Sequence, residues 1–412
     1  MTATQSTPTA LTETRVIVIC LARVLLFATF MTVAAAIPAL MRDWGLSATA
    51  AGSIITSFTL GYALSLFLFA WVADHLGAKH MVAVSAVAAA ATSLLFGLLA
   101  EGWWSAMVLY GLVGLCQGGV YTPLIMVLSD EVPGARRGNA MGWLVASTSA
   151  GYAGSLAIAG VGLAIGGWKV AFVLTGLLPA IGAVLLIAAM APVPNRIHPR
   201  QAGLRVSDEM VRNRKSRLLT AGYTAHSWEL LGMWAWIPAF IAISLALKSQ
   251  ATDDATVAGA YLGGLMHLVG AVAAFTMGRL SDRAGRRPVL IALAGAGALI
   301  SFTIGWLIHA PSIALIPLVL IYAFVCIGDS PVLTTAISEA VRPGYLGAVL
   351  AWRGLLGFGA GALAPLAFGM ALDATGHLGE AASWGLAFGG LGIGGALALL
   401  CAWRLRPARA RP

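Results

Sequence analysis

A ten-residue loop decides the fold, because its pattern occurs twice in the chain. The loop reads Gly278-Arg279-Leu280-Ser281-Asp282-Arg283-Ala284-Gly285-Arg286-Arg287. The earlier copy reads Val72-Ala73-Asp74-His75-Leu76-Gly77-Ala78-Lys79. Each copy follows a long apolar run and precedes another. The repetition predicts that the chain consists of two related halves.

Two further pairs of landmarks occur in the same order. Ile37-Pro38-Ala39-Leu40 has its counterpart in Ile237-Pro238-Ala239-Phe240. Glu131 with Pro133-Gly134 has its counterpart in Glu339 with Pro343-Gly344. Three matched landmarks indicate duplication. Membrane proteins built from such repeats hold their binding site near the middle of the membrane, between the halves.

The composition excludes a soluble protein. Of the 412 residues, 59% are apolar and 10% are charged, whereas soluble domains average about 45–50% and about 25%. Intrinsic disorder is excluded too, because it requires low hydrophobicity and high charge. The four cysteines lie in apolar segments without metal or redox spacing. We therefore predict an all-α polytopic membrane protein without a metal site or disulfide framework.

Twelve apolar runs are long enough to be transmembrane helices, which need about 20 residues each. The predicted helices are 15–41, 48–72, 80–100, 104–129, 138–164, 169–191, 218–247, 256–279, 287–309, 312–339, 345–372 and 383–404. The predicted organisation is a tail at 1–14, a six-helix bundle at 15–191, a basic linker at 192–217, a second six-helix bundle at 218–404 and a basic tail at 405–412. The first run is too long for a cleavable signal.

The distribution of basic residues predicts the orientation. Twenty of the 25 Lys and Arg residues fall on the side of the termini and the linker, and three fall on the other side. The positive-inside rule therefore places both termini and the linker in the cytoplasm of a bacterial-type inner membrane. The formal charge of +9 then indicates contact with anionic lipid headgroups rather than nucleic acid.

With twelve spans and this loop, the chain resembles the major facilitator superfamily over essentially all of 15–404. Residues 278–287 fit that family's cytoplasmic signature G-x-L-a-D-r-x-G-r-r. The first copy departs from the signature at Ala70, His75 and Ala78. In helix 4, Tyr110 stands where many members carry arginine, and helix 5 lacks the Gly-Pro pair of drug/proton antiporters near 155.

The resemblance implies alternating access, in which two six-helix bundles rock around a central site. It also implies that the loop aspartates act as a gate, since aspartates can cap helix ends and pair with arginines. The predicted cytoplasmic gate consists of Asp74, Asp282, Arg279, Arg283, Arg286 and Arg287. The alternative is that these are ordinary charged loop residues, where the positive-inside rule would put the arginines anyway.

Helix 7 carries a polar group at membrane depth. Glu229 lies twelve residues past Arg217, so about 18 Å in from the cytoplasm. Tyr223 and His226 precede it at steps of three, so all three are predicted to share one face of the helix, and Trp228 adds an indole donor. A carboxyl and an imidazole can relay a proton, which predicts proton coupling at Glu229 and His226 and solute contacts from Tyr223, His226 and Trp228. The alternative is static packing.

Asp329 and Arg353 are predicted to lie at similar depth. Each is twelve residues from the turn near 341, which is about 18 Å along its helix. They could form a buried ion pair that is purely structural. Alternatively, Asp329 takes part in proton coupling and Arg353 binds an anionic solute.

Arg23 lies eight residues past Arg15 in helix 1, about 12 Å into the membrane. It could extend back to the interface or face the cleft, where its guanidinium would hold a carboxylate. Gln117 and Tyr121 in helix 4 are weaker candidates for solute binding. His267 is predicted to be a packing residue.

No nucleotide loop, metal-ligand spacing or catalytic triad is visible. The glycines at 357, 359 and 361 lie inside an apolar helix without a preceding strand, so they fail the context of a nucleotide loop. We predict a non-enzymatic, monomeric secondary carrier of a small anion, driven by protons, with lipids as neighbours and no cofactor. The alternatives are efflux of hydrophobic drugs or metabolites, a non-transporting receptor and, more remotely, a membrane enzyme.

Overall fold

The computed structural model describes residues 11–197, 208–249, 252–342 and 345–405, and within these ranges all regular secondary structure is helical. The α-helices in the described ranges are α1 (Glu13–Leu26), α2 (Thr32–Asp43), α3 (Ala48–Leu76), α4 (Ala78–Leu99), α5 (Trp103–Gln117), α6 (Thr122–Glu131), α7 (Gly134–Met190), α8 (Arg214–Ser249), α9 (Thr252–Ala284), α10 (Arg286–Ile304), α11 (Ser312–Ala340), α12 (Leu346–Thr375) and α13 (Glu380–Arg404).

These helices form twelve passes in the described part of the chain. Ten segments are each long and apolar enough to cross a membrane. One of them, α7, holds two passes, because Gly166 and Gly167 leave helical geometry between them. Gly167 has φ of +73°, a conformation that side chains with a Cβ rarely adopt. The remaining pass consists of α1 and α2, which are 14 and 12 residues long.

The first pass is interrupted at residues 27–31, a break that the sequence analysis did not predict. The Tyr110 hydroxyl donates toward the carbonyl oxygens of Thr29 (3.1 Å) and Phe30 (2.6 Å). Ser155 Oγ accepts from the Met31 amide at 2.9 Å. An unsatisfied backbone group in the membrane costs several kcal/mol, so these side chains stabilise the break. Tyr110 thus has a backbone-binding role where family members often carry arginine.

The N half (α1–α7) and the C half (α8–α13) pack together chiefly through α3 against α12 and α7 against α9. We call the end of the bundle that carries residues 191–197 and 208–213 the linker end, and the opposite end the far end. At the far end, Arg42 Nη1 lies 2.6 Å from Asp253 Oδ1. This ion pair joins the two halves.

A second polar contact joins the halves at the far end. The carboxylate of Asp373 on α12 accepts from the amides of Ala48 (2.9 Å) and Thr49 (2.8 Å) at the start of α3. An acidic group at a helix N-terminus is favourable, because the first amides have no partner within the helix. The contact ties α12 to the N-terminus of α3.

Two glycines let α3 and α12 approach closely near this contact. A methyl group on Gly52 would overlap the backbone carbonyl of Pro365, and one on Gly369 would overlap the carbonyl of Ala48. Small residues at a membrane helix interface allow such backbone contact. The far end is therefore closed by packing as well as by charge.

The described ends of the linker are each bound to one half. Lys79 Nζ donates to the Ala191 carbonyl at 3.0 Å, and Arg196 pairs with Glu131 at 2.7 Å in the N half. Beyond residues 198–207, Glu209 pairs with Arg342 in the C half. The described ends of the linker are thus held by polar contacts, one end to each bundle.

Candidate functional site

Arg23 is a fully buried cation in α1 without a carboxylate partner among the described residues. Its Nη1 donates to the Leu144 carbonyl at 2.5 Å and to Ser147 Oγ at 3.1 Å. Its Nε and Nη2 have no hydrogen-bond partner in the described ranges. Arg23 therefore faces the bundle interior and does not extend to the interface, and it keeps two donors for an additional acceptor.

Aromatic rings surround this guanidinium. Its carbon lies 4.9 Å from the ring centres of both Phe27 and Tyr121, within cation–π range. Tyr62 and Tyr152 are buried and within electrostatic range of Arg23. Tyr121 was predicted from the sequence as a candidate for solute binding, whereas Tyr62 and Tyr152 were not predicted.

Arg353 occupies a comparable setting in the C half. Its Nη1 donates to Thr334 Oγ1 at 2.9 Å, and its guanidinium carbon lies 3.9 Å above the ring centre of Tyr223. Its Nε has no partner among the described residues. Tyr223 interacts electrostatically with both Arg353 and Tyr121, so the aromatic surroundings of the two arginines adjoin across the interface.

Asp329 does not pair with Arg353 in the described structure, contrary to one of the two predictions for this pair. Asp329 Oδ1 lies 3.0 Å from Nδ1 of His226, and the imidazole Nε2 lies 2.8 Å from Ser330 Oγ. Asp329 faces α8, whereas Arg353 faces Thr334 and Tyr223. Spacing along the sequence predicts depth along a helix but not the rotation of the helix about its axis.

Glu229 is buried in the C half between α8, α10 and α13. Its Oε1 accepts from Ser301 Oγ at 2.6 Å and from the Tyr322 hydroxyl at 3.3 Å. A methyl group on Gly395 would lie 2.5 Å from its Oε2. His226 and Asp329 lie within electrostatic range of it. Glu229 thus belongs to a buried acid–imidazole cluster.

The three polar residues of helix 7 do not share one face, contrary to the prediction. Tyr223 contacts Arg353, His226 contacts α11, and Glu229 contacts α10. Steps of three residues fall about 60° short of a full helical turn, so the side chains turn progressively toward different neighbours. Tyr322 was missed, although it lies seven residues before Asp329 and therefore on the same side of α11.

The other two helix candidates make backbone contacts. Gln117 is buried, and its Nε2 donates to the Leu26 carbonyl at 3.0 Å, next to the break in the first pass. Trp228 Nε1 donates to the Gly390 carbonyl at 3.0 Å. Its indole lines a groove between α8, α12 and α13, away from Tyr223 and Arg353. The structure therefore contradicts the predicted grouping of Trp228 with those residues.

Two more buried donors lie between the halves. The ring centre of Tyr152 lies 5.2 Å from that of Trp234 and 5.4 Å from that of His267. Trp234 Nε1 and His267 Nε2 have no hydrogen-bond partner in the described ranges. His267 packs against aromatic rings, but its Nε2 has no partner among the described residues, contrary to the prediction of a packing histidine whose hydrogen bonds are satisfied.

The predicted gate residues of the second loop interact within the C half. Arg286 pairs with Asp282 at 2.5 Å and with Glu339 at 2.8 Å. Arg279 lies 3.9 Å above the ring centre of Phe275. The described contacts of this loop therefore lie within one half, and the predicted gate, which belongs to a state open at the opposite end, stays a prediction. The first loop, with Asp74, lies in the N half at the same end.

The described helices and their two-half arrangement agree with a known family of membrane proteins. The model of the Major Facilitator Superfamily matches residues 19–365. The chain belongs to this superfamily. Two pseudo-symmetric six-helix bundles, expected from the repeated loop, are the family's architecture. Its members and the relatives below are transporters rather than enzymes.

The curated relatives of this superfamily member include transporters named for anionic solutes. The hexuronate transporter of Bacillus subtilis is 26% identical over 381 residues, covering 89% of this chain and 88% of the relative. A probable sulfoacetate transporter of Cupriavidus necator is 25% identical over 224 residues, 54% of this chain and 51% of its own length. A probable hexose phosphate transport protein of Chlamydia trachomatis is 22% identical, and this chain spans 50% of its length.

Solved structures share the fold. A bacterial homologue of the human lysosomal transporter Spinster, inward-facing and unoccupied, superimposes with a TM-score of 0.77 at 17% identity, covering 98% of this chain and all of that one. The D-xylose–proton symporter gives a TM-score of 0.74 at 16% identity, with coverage of 96% and 98%. At this identity the likeness concerns the fold alone.

Proposed function

We propose that this transporter moves a small carboxylate-bearing anion by proton-coupled alternating access. The observation that carries the proposal is Arg23, a buried cation with two unused donors. An unpaired buried charge is costly, so a residue of this kind favours an anion that enters the site. The two donors suit the paired oxygens of a carboxylate, which guanidinium binds in a fork.

Arg353 extends the proposed site into the C half. It is half-buried, its Nε is unused, and only a hydroxyl and an aromatic ring hold its guanidinium. An anion between the halves would interact with both arginines, and the tyrosines around them supply hydroxyl groups. The ring nitrogens Trp234 Nε1 and His267 Nε2, which have no partner among the described residues, suit hydroxyl groups of the same solute. Names of relatives that include hexuronate and hexose phosphate support a hydroxylated anion.

The proposed proton site is the cluster of Glu229, His226 and Asp329. Two buried carboxyls share one imidazole, so full ionisation of the cluster would leave an excess negative charge away from water. A bound proton removes that excess. Because His226 lies next to Tyr223 (ring centres 6.0 Å apart), a change of charge in the cluster would be felt beside Arg353.

The proposed orientation places the linker end in the cytoplasm of the inner membrane. The closed far end then corresponds to a state that opens toward the cytoplasm. We propose that the cytoplasmic gate, with Asp74, Asp282, Arg279, Arg283 and Arg286, engages in the opposite state, after Arg286 exchanges its partners within the C half. The transporter is proposed to act as a monomer.

Uptake by proteoliposomes tests the proposal. With an acidic exterior, we expect accumulation of radiolabelled glucuronate, and Arg23→Gln should lower it at least tenfold. Loss of one partner from a buried charge pair costs about 2 kcal/mol or more, or about 30-fold in affinity. Arg136→Gln, which removes an exposed arginine in the same half, should retain uptake.

The rival function, efflux of hydrophobic compounds, predicts a different result. Transport of tetraphenylphosphonium that is unaffected by Arg23→Gln and Arg353→Gln, together with absent glucuronate uptake, would favour efflux and refute the anion proposal. A buried cation without a carboxylate partner disfavours a cationic substrate, because like charges repel in a poorly solvated site.

A further inference from the structure

An apolar groove between three helices of the C half lies outside the proposed solute site. It has a volume of about 660 Å³ and is bounded by α8, α12 and α13. Leu356, Ile393 and Leu397 line it and remain 42%, 58% and 50% exposed. In a membrane-spanning bundle, such exposed apolar side chains face lipid. The groove therefore opens toward the acyl chains of the bilayer.

The groove extends over about half of the membrane. Arg217 and Trp228 both line it, and eleven residues separate them along α8, or about 16 Å. The hydrocarbon core is about 30 Å thick. The lining residues between them recur at steps of three and four, which is one stripe of a helix. The groove thus has the length of one leaflet, on the side of the linker end.

Small residues create the space. A side chain on Gly390 would meet nothing within 4 Å, so the groove wall is open at this position. At Gly394 a methyl group would lie 2.6 Å from the Ala225 carbonyl, so α13 and α8 already touch behind the groove. The groove is consequently a channel along a closed helix contact, not a gap between loose helices.

Basic groups surround the mouth of the groove at the linker end. Arg217 lines the mouth and is exposed, with its Nη1 held by the Val211 carbonyl at 2.8 Å. Arg214 lies one turn before it and donates to the carbonyl of Arg404, which follows groove residue Cys401 by one turn. These three arginines place positive charge at the headgroup level of that leaflet.

We propose that the groove holds one anionic phospholipid of the linker-side leaflet, with an acyl chain against α8 and its phosphate at Arg217. The apolar lining, the one-leaflet length and the arginines at one end match the three parts of such a lipid. The bound acyl chain would pack against Trp228, which directly precedes Glu229 in the sequence. The site is independent of the transported solute.

Native mass spectrometry of the purified full chain tests this site with dioleoyl phosphatidylglycerol and, for comparison, dioleoyl phosphatidylcholine. The wild type should retain one phosphatidylglycerol in preference to phosphatidylcholine. Arg217→Gln should weaken retention of phosphatidylglycerol about fivefold, which corresponds to about 1 kcal/mol per basic group. Arg136→Gln, an exposed arginine at the same end of the N half, should not.

A second pair of variants tests the groove itself. Gly390→Leu adds a side chain at a position where a new Cβ meets nothing within 4 Å, and should lower retention of the same lipid, whereas Gly142→Leu, at a similarly open position of the N half, should not. Equal retention in Arg217→Gln and Arg136→Gln, or undiminished retention in Gly390→Leu, would overturn the proposal. Equal binding of both lipids would identify ordinary annular contact and overturn it as well.

Discussion

Glu229 is held by neutral hydroxyl groups in the middle of the C half. Ser301 and Tyr322 donate to it, and the nearby imidazole of His226 also interacts with Asp329. A carboxyl in this setting can hold a proton without losing its hydrogen bonds, because a hydroxyl can also accept one. Its protonation therefore changes charge more than packing.

We predict that Glu229→Gln separates coupling from binding. The amide mimics the protonated acid, so solute exchange between equal pools should persist while accumulation driven by a pH gradient falls at least tenfold. Paired counterflow and gradient-driven uptake assays in proteoliposomes measure the two rates. Glu101→Gln, at an exposed loop carboxyl, serves as the control. Intact gradient-driven accumulation in Glu229→Gln would show that this role is wrong.

At this scale the sequence identified the ionisable residues at membrane depth but not which residues contact one another. Arg23, Arg353 and Glu229 stood out because ionisable groups are rare at membrane depth. Asp329 contacts His226 rather than Arg353 because of how each helix is rotated about its axis. Packing with neighbouring helices sets that rotation. Tyr62 and Tyr152 were overlooked, since a buried tyrosine in an apolar helix resembles an ordinary core residue.

The contact between α3 and α12 closes the far end through backbone proximity. Gly52 and Gly369 are the residues that permit this approach. Both lie near the ends that Asp373 ties together. Separation of these helices is therefore the step that the far end needs in order to open.

We predict that Gly52→Ala shifts the transporter toward a state open at the far end. The added methyl group overlaps the Pro365 carbonyl, and overpacking of this kind costs about 1–3 kcal/mol in the closed state only. Double electron–electron resonance between spin labels at the exposed positions 101 and 377 should show a larger fraction of long distances between the labels than in the wild type. Gly142→Ala, with open space around it, should leave the distribution unchanged; the same distribution in both variants would refute the prediction.

Element boundaries were easier to predict than interruptions of the elements. The fifth predicted transmembrane segment ends at 164 and the sixth begins at 169. These bounds lie on either side of the kink at Gly166 and Gly167 in α7. The break at 27–31 was not predicted, because its carbonyls are satisfied by side chains from α5 and α7, which lie far away in sequence. Hydropathy reports whether a segment enters the membrane and not whether it stays helical there.

Polar contacts hold each described end of the linker to one half. On the C half, the amide of Asn213 and the guanidinium of Arg342 lower the pKa of Glu209 below its ordinary value of 4.5. A carboxyl with a lowered pKa contributes its full stabilisation above the ordinary pKa and loses it as pH falls through the folded-state value. The contact of Glu209 is thus complete at neutral pH and is lost in acid.

We predict that acid releases this part of the linker before the helices unfold. The fluorescence anisotropy of a dye on Val211→Cys, with Cys116 and Cys401 replaced by alanine, should stay level from about pH 7 to pH 5 and fall below about pH 4. Glu209→Ala should remove the transition. Circular dichroism over the same range is the control, and a transition that persists in Glu209→Ala would contradict the prediction.

For the whole molecule, the duplication, the number of passes and the family were accessible from the sequence. The matched loops and the composition determine them, because a membrane restricts the chain to helices of similar length. The groove between α8, α12 and α13 was not accessible, since it is lined by small and apolar residues of three helices that only packing brings together. A binding surface formed by small apolar residues has no polar pattern that can be recognised in the sequence.

The interruption at residues 27–31 divides the first pass into two short helices, α1 and α2. Arg23 lies on α1, whereas Arg42, which pairs with Asp253, lies on α2. If the proposed solute binds at Arg23, it therefore contacts a helix that is separate from the one tied to the C half at the far end. Under the proposed function, solute binding and opening of the far end then involve different helices of the same pass.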